Sequence, residues 1–255
     1  MEWLAENLMV IIFYVFIIYM FAQIFFQIHK AAKNEKEEKM TKQIPDCTPL
    51  IAQYILKDGE ITPKVIKAVF LDLCKKNYIK LVPMTNENDD IKDYELIKNG
   101  VPNFKEKEYE ENLFNEEFED SDISLSYIYI LNKYIFSGKE KNLYSIFSRE
   151  LDNVNLNEDL LFVKILTAEM FSTNLFKTES ENLEEVEVTE KGEEVSKNIE
   201  GLKLFLRDYD LIGGFKKDDI ETWGKYLTYG VAYELEDLSI ENLNILYAMD
   251  YFNIK

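Results

Sequence analysis

The sequence has little of the chemistry on which most catalytic and metal sites depend. Among 255 residues there are one histidine, two cysteines and two tryptophans. Cys47 and Cys74 form no Cys-x-x-Cys pair, so a disulfide framework is not indicated and a Cys/His zinc site cannot be assembled. The sequence also lacks a phosphate-binding glycine loop, a Gly-x-Ser-x-Gly turn and a zinc-protease motif. We therefore predict no catalytic residue, no metal site, no cofactor and no small-molecule substrate, although an enzyme without a linear motif stays open.

Positive charge is scarce as well. There are 29 lysines and arginines against 48 acidic residues, and the formal net charge is −19. Residues 1–42 contain five lysines and five acids, so the whole excess falls on the rest of the chain. Such a body is repelled by nucleic acid and by the anionic cytoplasmic leaflet, and the excess of acids favours solubility. We predict no nucleic-acid partner.

The longest uncharged stretch is Leu8–Ile28, which is almost entirely apolar. A helix of this length spans about 30 Å, the thickness of a bilayer's hydrocarbon layer. The charged residues that precede it are all acidic, whereas five lysines follow it between Lys30 and Lys42. Because the lysine-rich flank stays cytoplasmic, we predict a single-pass plasma-membrane protein with its N-terminus outside and its body in the cytoplasm. The alternative, a cleavable signal peptide, lacks its basic start and its small-x-small cleavage site.

Helix and strand signals predict a mainly α fold with short β-hairpins, in which two winged-helix-like lobes and C-terminal helices follow the transmembrane helix. The segments are an anchor (1–29), a charged stem (30–47), a first lobe (48–103), an acidic amphipathic segment (104–122), a second lobe (123–189) and C-terminal helices (190–255).

Threonines mark several predicted helix starts. Thr48 and Thr62 each precede a proline, so each is expected to cap a helix, 49–57 and 63–76 respectively. Asn77 is expected to close the second helix in the left-handed conformation. Further helices are predicted at 105–122, 123–136, 143–151 (cap Asn142), 158–172 (cap Asn157), 190–209 (cap Thr189), 218–236 and 239–251. Two strand pairs are predicted: 78–82 pairs with 93–97, and 174–178 pairs with 185–189.

Three stretches carry a resemblance to a known family. They are Thr48–Val82 (TPLIAQYILKDGEITPKVIKAVFLDLCKKNYIKLV), Val188–Tyr209 (VTEKGEEVSKNIEGLKLFLRDY) and Trp223–Tyr233 (WGKYLTYGVAY). In order and spacing they are similar to the cytoplasmic part of YciQ-like bacterial membrane proteins, the domain of unknown function 2207 family. The resemblance implies winged-helix-like lobes tethered to the inner face of the membrane. It implies no catalytic residues, and the extracellular domain usual in that family is not expected ahead of the anchor.

The resulting hypothesis is a non-enzymatic, membrane-anchored module that binds an unidentified protein partner. The alternative is a membrane-tethered winged-helix transcription regulator, which would use a basic cluster of Lys64, Lys67, Lys75, Lys76 and Lys80. Its predicted wing carries Glu87, Asp89 and Asp90 instead of the phosphate-binding lysines that DNA requires. One aromatic stripe is interpreted as packing rather than a ligand box; it consists of Trp223, Tyr226, Tyr229 and Tyr233.

Overall fold

The computed structural model describes residues 39–112, 123–137, 142–144, 154–178, 186–209 and 219–253. The predicted transmembrane segment Leu8–Ile28 lies outside these ranges, and so do the predicted helical residues 113–122 and 145–151. Within the described ranges no helix has both the length and the apolar character needed to cross a bilayer. The chain from Thr41 to Lys255 forms one compact unit, which we call the body.

The body is mainly helical and contains two short antiparallel hairpins, as predicted. Its helices are α1 (Pro49–Leu56), α2 (Val65–Lys75), α3 (Glu106–Glu111), α4 (Leu125–Ile130, continued by a π-helical turn Leu131–Ile135), α5 (Leu160–Ser172), α6 (Glu190–Asp208), α7 (Ile220–Ala232) and α8 (Ile240–Ala248). Short 3₁₀ turns cover Leu156–Glu158 and Tyr251–Asn253, and the strands are β1 (Ile79–Thr85), β2 (Ile91–Lys98), β3 (Phe176–Thr178) and β4 (Val186–Val188).

Helix α2 is the centre of the body. Eight of its eleven residues are buried, and it packs against α1, α4, α7, β1 and the last 3₁₀ turn. A helix that is apolar on most of its circumference is stable only when other elements surround it. The C-terminal helix α7 therefore belongs to the same core as the first two helices, since it contacts both of them.

Side-chain caps fix the starts of α1, α5, α6 and α8. The Thr48 hydroxyl accepts from the Ile51 amide at 3.3 Å, and the Thr189 hydroxyl accepts from the Gly192 amide at 3.0 Å, which confirms both predicted caps. At α8, Ser239 and Asn242 form a reciprocal capping box. Each cap pairs amides that the first helical turn leaves without a partner in the helix.

Two other predicted caps are wrong, because tertiary partners take the side chains. Helix α2 begins at Val65 without a side-chain cap, and the Thr62 hydroxyl donates instead to Glu234 at 2.5 Å. Helix α5 is capped by Asp159, not by Asn157. The Asn157 amide group pairs with both backbone groups of Ile61, at 2.9 Å each, and so joins two distant turns.

The hairpin β1–β2 is confirmed and extends further than predicted. Asn77, with a φ of 63°, adopts the predicted left-handed conformation and leads the chain into β1. The Asn99 amide donates to the Tyr78 carbonyl at 2.9 Å, so the backbone groups of Tyr78 point towards β2. Because backbone groups alternate in direction along a strand, the backbone nitrogen of Pro83 points away from β2. A proline there removes no ladder hydrogen bond and blocks pairing of the outer edge. The second predicted hairpin is also confirmed, with Phe176 opposite Val188.

Candidate functional site

The aromatic stripe of α7 organises the candidate site. Trp223, Tyr226, Tyr229 and Tyr233 are between 2% and 7% exposed, as the packing interpretation requires. Rings at this spacing share one side of a helix, where they offer large apolar faces together with hydroxyl groups. The stripe is therefore a packed surface, and two of its hydroxyls, those of Tyr226 and Tyr229, hold another segment.

The held segment is Thr41–Thr48, which we call the strap. Tyr226 donates its hydroxyl hydrogen to the Lys42 carbonyl at 3.1 Å, and Tyr229 donates to the Cys47 carbonyl at 2.5 Å. At the start of the strap, the Thr41 amide donates to the Gly201 carbonyl of α6 at 3.2 Å. Backbone groups of an irregular segment need such partners when they are covered. The strap is thus fixed along its length to α6 and α7.

One side of the strap forms the wall of a cleft of about 440 Å³, which we call the cleft. Apolar side chains of the strap and of α1 line part of it, including Ile44, Pro45 and Ile51. The charged side chains that line it come from five separate parts of the chain: Asp46, Asp72, Lys75, Lys76, Glu169, Lys191 and Lys225. An apolar lining combined with a few convergent charges is typical of binding sites.

Every lysine of the cleft contacts a carboxylate. The N–O distances are 2.7 Å for Lys75 and 3.2 Å for Lys225, both to Glu221, 3.0 Å for Lys76 to Asp72, and 3.5 Å for Lys191 to Asp46. Burial alone would raise the pKa of Glu221, but the two lysines outweigh it and lower that pKa. Partly exposed pairs of this kind contribute only about 0–1 kcal/mol each, so another charged group can displace them.

The pKa of the Glu169 carboxyl, which lines the cleft, is raised. Burial is the main cause; hydrogen bonds from Ser126 and Ser124 and the charge of Lys76 oppose it without cancelling it. Burial and the nearby Asp72 carboxylate raise the pKa of the fully buried Tyr127 hydroxyl, and the charge of Glu169 adds to this shift. A carboxyl in such surroundings is a functional-site candidate that the sequence did not single out, because it lies inside an ordinary helix.

The Cys47 thiol, which lines the cleft, is not activated as a nucleophile. Burial raises the pKa of the Cys47 thiol to about 12, helped by the neighbouring Asp46, and the charge of Lys191 lowers it only in part. At neutral pH the thiol is therefore protonated, whereas a nucleophilic cysteine needs the thiolate. The lysine ammonium groups of the cleft are engaged in ion pairs. They can offer a ligand charge and hydrogen-bond donors.

A second cavity, of about 310 Å³, lies beside the start of the strap, and we call it the aromatic pocket. Phe205 and Tyr209 of the α6 end and Tyr226 and Trp223 of α7 line it together with Asp219 at the start of α7. Lys42 of the strap also lines it and places its ammonium 5.5 Å from the Phe205 ring centre. The stripe therefore lines both cavities, since Tyr229 belongs to the cleft and Trp223 and Tyr226 belong to the aromatic pocket.

A polar cluster around Asp159 looks like a catalytic constellation but has a structural role. The end of α4 brings Tyr129 to this carboxylate, and the π-helical turn after it brings Lys133 and Tyr134, with donor distances of 2.9, 2.8 and 2.5 Å. Burial would raise the pKa of Asp159, but these donors outweigh it and lower that pKa. Burial and Asp159 both raise the pKa of Tyr129, the opposite of what a tyrosine base needs.

The basic cluster of the transcription-regulator alternative does not form a DNA-facing surface on α2. The helix is surrounded by other elements, so it has no open face to enter a major groove. Lys67 pairs with Asp237 at 2.7 Å, and Lys75 and Lys76 belong to the cleft. Phosphate binding would first have to break these pairs.

No family model matches this chain, and neither a curated protein nor a solved structure matches it. Within the described ranges, no group of three or more histidine, cysteine or acidic side chains is placed to hold a metal ion. The similarity to the YciQ-like family therefore stays a prediction from the three sequence stretches. What the cavities can bind has to be argued from their own side chains.

Proposed function

We propose that the protein is a membrane-anchored, non-enzymatic module that binds a protein partner in the cleft. Leu8–Ile28 would hold it in the plasma membrane, with the body on the cytoplasmic side. The partner's docking segment would be apolar at its centre and carry charges of both signs at its edges. The observation that carries the proposal is the cleft itself, in which an apolar lining is bordered by four lysines and their carboxylates.

The strap supports the membrane tether. Only residues 29–40 separate the predicted anchor from Thr41, where the strap begins. Because tyrosine hydroxyls hold the strap on α7, a body fixed in this way would stay close to the inner leaflet. Tethering confines the module to two dimensions, which raises its effective concentration towards a partner in the same membrane.

The charge pairs support a partner of mixed charge. The cleft lysines and the carboxylates they contact, with Glu169, carry four charges of each sign, so neither a purely acidic nor a purely basic segment is favoured. A segment with both signs can exchange ion pairs with the cleft without leaving a charge uncompensated. The apolar lining then supplies the driving force for binding.

The element order supports the lobe architecture that the resemblance implies. Helices α1 and α2 precede the hairpin β1–β2, and α4 and α5 precede the hairpin β3–β4. We infer that residues 48–103 and 123–189 are two winged-helix-like lobes used for protein contact. In this role, the helix that other winged-helix proteins insert into DNA would instead supply the buried centre of the body.

Photo-crosslinking in cells tests the proposal. A benzophenone amino acid replaces Lys225, at the cleft, or Lys197, which also follows a helical glutamate by four residues but lies outside the cleft. We expect an adduct with one protein from position 225 and none from position 197.

Charge reversal then separates the cleft from the rest of α6. Lys191→Glu reverses a charge at the cleft, and Lys197→Glu makes the same change elsewhere on the same helix. The adduct from position 225 should fall at least about five-fold in the first variant and stay unchanged in the second, as expected when a desolvated contact charge is reversed. No adduct, or an equal loss in both variants, would refute the proposal.

A further inference from the structure

Three aromatic rings that pack against one another line the aromatic pocket. The ring centres of Phe205, Tyr209 and Tyr226 lie 5.2, 5.3 and 5.6 Å from one another, at interplanar angles of 36° to 70°. Rings that only fill a core need not line a cavity, whereas all three of these line the pocket, as does Trp223. The faces of such rings carry partial negative charge and attract cations.

A cation already uses one of these faces. The Lys42 ammonium lies 5.5 Å from the Phe205 centre, within the range of a cation–π contact. Asp219, whose side chain is exposed, adds a full negative charge at the edge of the pocket. The body around it accounts for the chain's net charge of −19, which favours the approach of cations at long range.

We propose that the aromatic pocket binds an alkylated ammonium group, of the kind that choline carries. A trimethylammonium group buries methyl groups against the rings and keeps its charge over their faces, which a primary ammonium does less well because it is strongly hydrated. The group could come from a free small molecule or from a lipid headgroup, and the chemistry of recognition is the same. This inference does not depend on the partner proposed for the cleft.

Lys42 would act as an internal competitor. Its charge occupies the Phe205 face and repels a second cation near it. Replacing it with glutamine keeps the Lys42 carbonyl, and therefore the strap's hydrogen bond to Tyr226, which involves the backbone only. The variant is thus expected to bind the ligand more tightly than the natural chain does, a result that a purely structural role for the aromatic cluster does not predict.

The test uses the full chain in a detergent without choline groups. With Trp3→Phe, Trp223 is the remaining tryptophan, and its fluorescence reports on the pocket. Choline is compared with 3,3-dimethylbutan-1-ol, which has the same shape without the charge. We expect saturable binding of choline and at least about ten-fold weaker binding of the neutral isostere, because the rings select for charge.

Variants complete the test. Phe205→Leu should weaken choline binding at least about five-fold, and Lys42→Gln should strengthen it about three-fold. Lys197→Gln, a matched change outside the pocket, should do neither. Thermal unfolding of each variant establishes that it is folded. Equal affinity for choline and its isostere, or a Lys42→Gln variant that binds no better, would overturn the inference.

Vesicles identify the source of the group. In vesicles of phosphatidylglycerol, added choline should change the Trp223 emission. If lipid headgroups fill the pocket, choline should have no further effect in vesicles of phosphatidylcholine. If a free molecule is the ligand, choline should act equally in both. An absence of any effect in both vesicles would contradict the proposal.

Discussion

Gln53 is the best single position at which to test the account of the core. Its side chain is fully buried and donates to the Ala232 carbonyl at 2.7 Å and to the Thr62 hydroxyl at 3.1 Å. It also accepts from the Thr62 amide at 2.9 Å. One amide group therefore joins α1, the turn before α2 and the end of α7.

The substitution Gln53→Met removes these bonds at nearly constant side-chain shape. It leaves the Ala232 carbonyl and the Thr62 amide without the partner that the amide group supplied. Each polar group left unsatisfied in a buried position costs about 1–3 kcal/mol, so for two groups we expect a loss of about 2–6 kcal/mol. For a domain of this size the melting temperature should fall by about 4–24 °C.

The assay is thermal and urea unfolding of the full chain in detergent, followed by circular dichroism. Gln43→Met makes the same chemical change at an exposed position, where the effect should stay within about 0.5 kcal/mol. If Gln53→Met were no more destabilising than Gln43→Met, the proposed joint between α1 and α7 would not exist.

Three further predictions concern backbone fit, pH and the strap. In Gly192→Ala, the new Cβ would lie 2.2 Å from the Leu175 carbonyl oxygen, so urea unfolding should show a loss of about 2–3 kcal/mol; a neutral result would contradict the packing of α6. The pKa of Asp159 is lowered in the folded protein. Its contribution to the free energy of unfolding is therefore complete above about pH 4 and is lost as the pH falls through the folded-state pKa. The Asp159→Asn variant should accordingly show a flatter dependence of the unfolding free energy on pH in that range. Tyr229→Phe removes the donor to the Cys47 carbonyl, so maleimide labelling of that thiol should speed up several-fold; an unchanged rate would mean that the hydroxyl does not hold the strap.

Local structure was predictable wherever the determinants are adjacent in sequence. The caps at Thr48 and Thr189 each depend on an amide three residues further on, and the turn at Asn77 depends on one residue's tolerance of positive φ. The predicted caps Thr62 and Asn157 were wrong because their partners lie 172 and 96 residues away. A single sequence carries no signal for such contacts.

The cleft and the aromatic pocket could not be predicted for the same reason. The cleft brings Cys47 of the strap together with Lys76 and Glu169, which are far apart in sequence and belong to no linear motif. The aromatic stripe was recognised, and its burial agrees with the packing interpretation, but its neighbours Phe205 and Lys42 were not visible from helical spacing. Tertiary packing, not local pattern, creates both cavities.

Membrane fractionation of intact cells tests the central claim most directly. The account predicts that the full chain resists carbonate extraction from membranes, that a protease added outside leaves the body intact, and that deletion of residues 8–28 releases the body into the soluble fraction. Recovery of the full chain in the soluble fraction, or digestion of the body by the external protease, would contradict the proposal that Leu8–Ile28 anchors a cytoplasmic binding module.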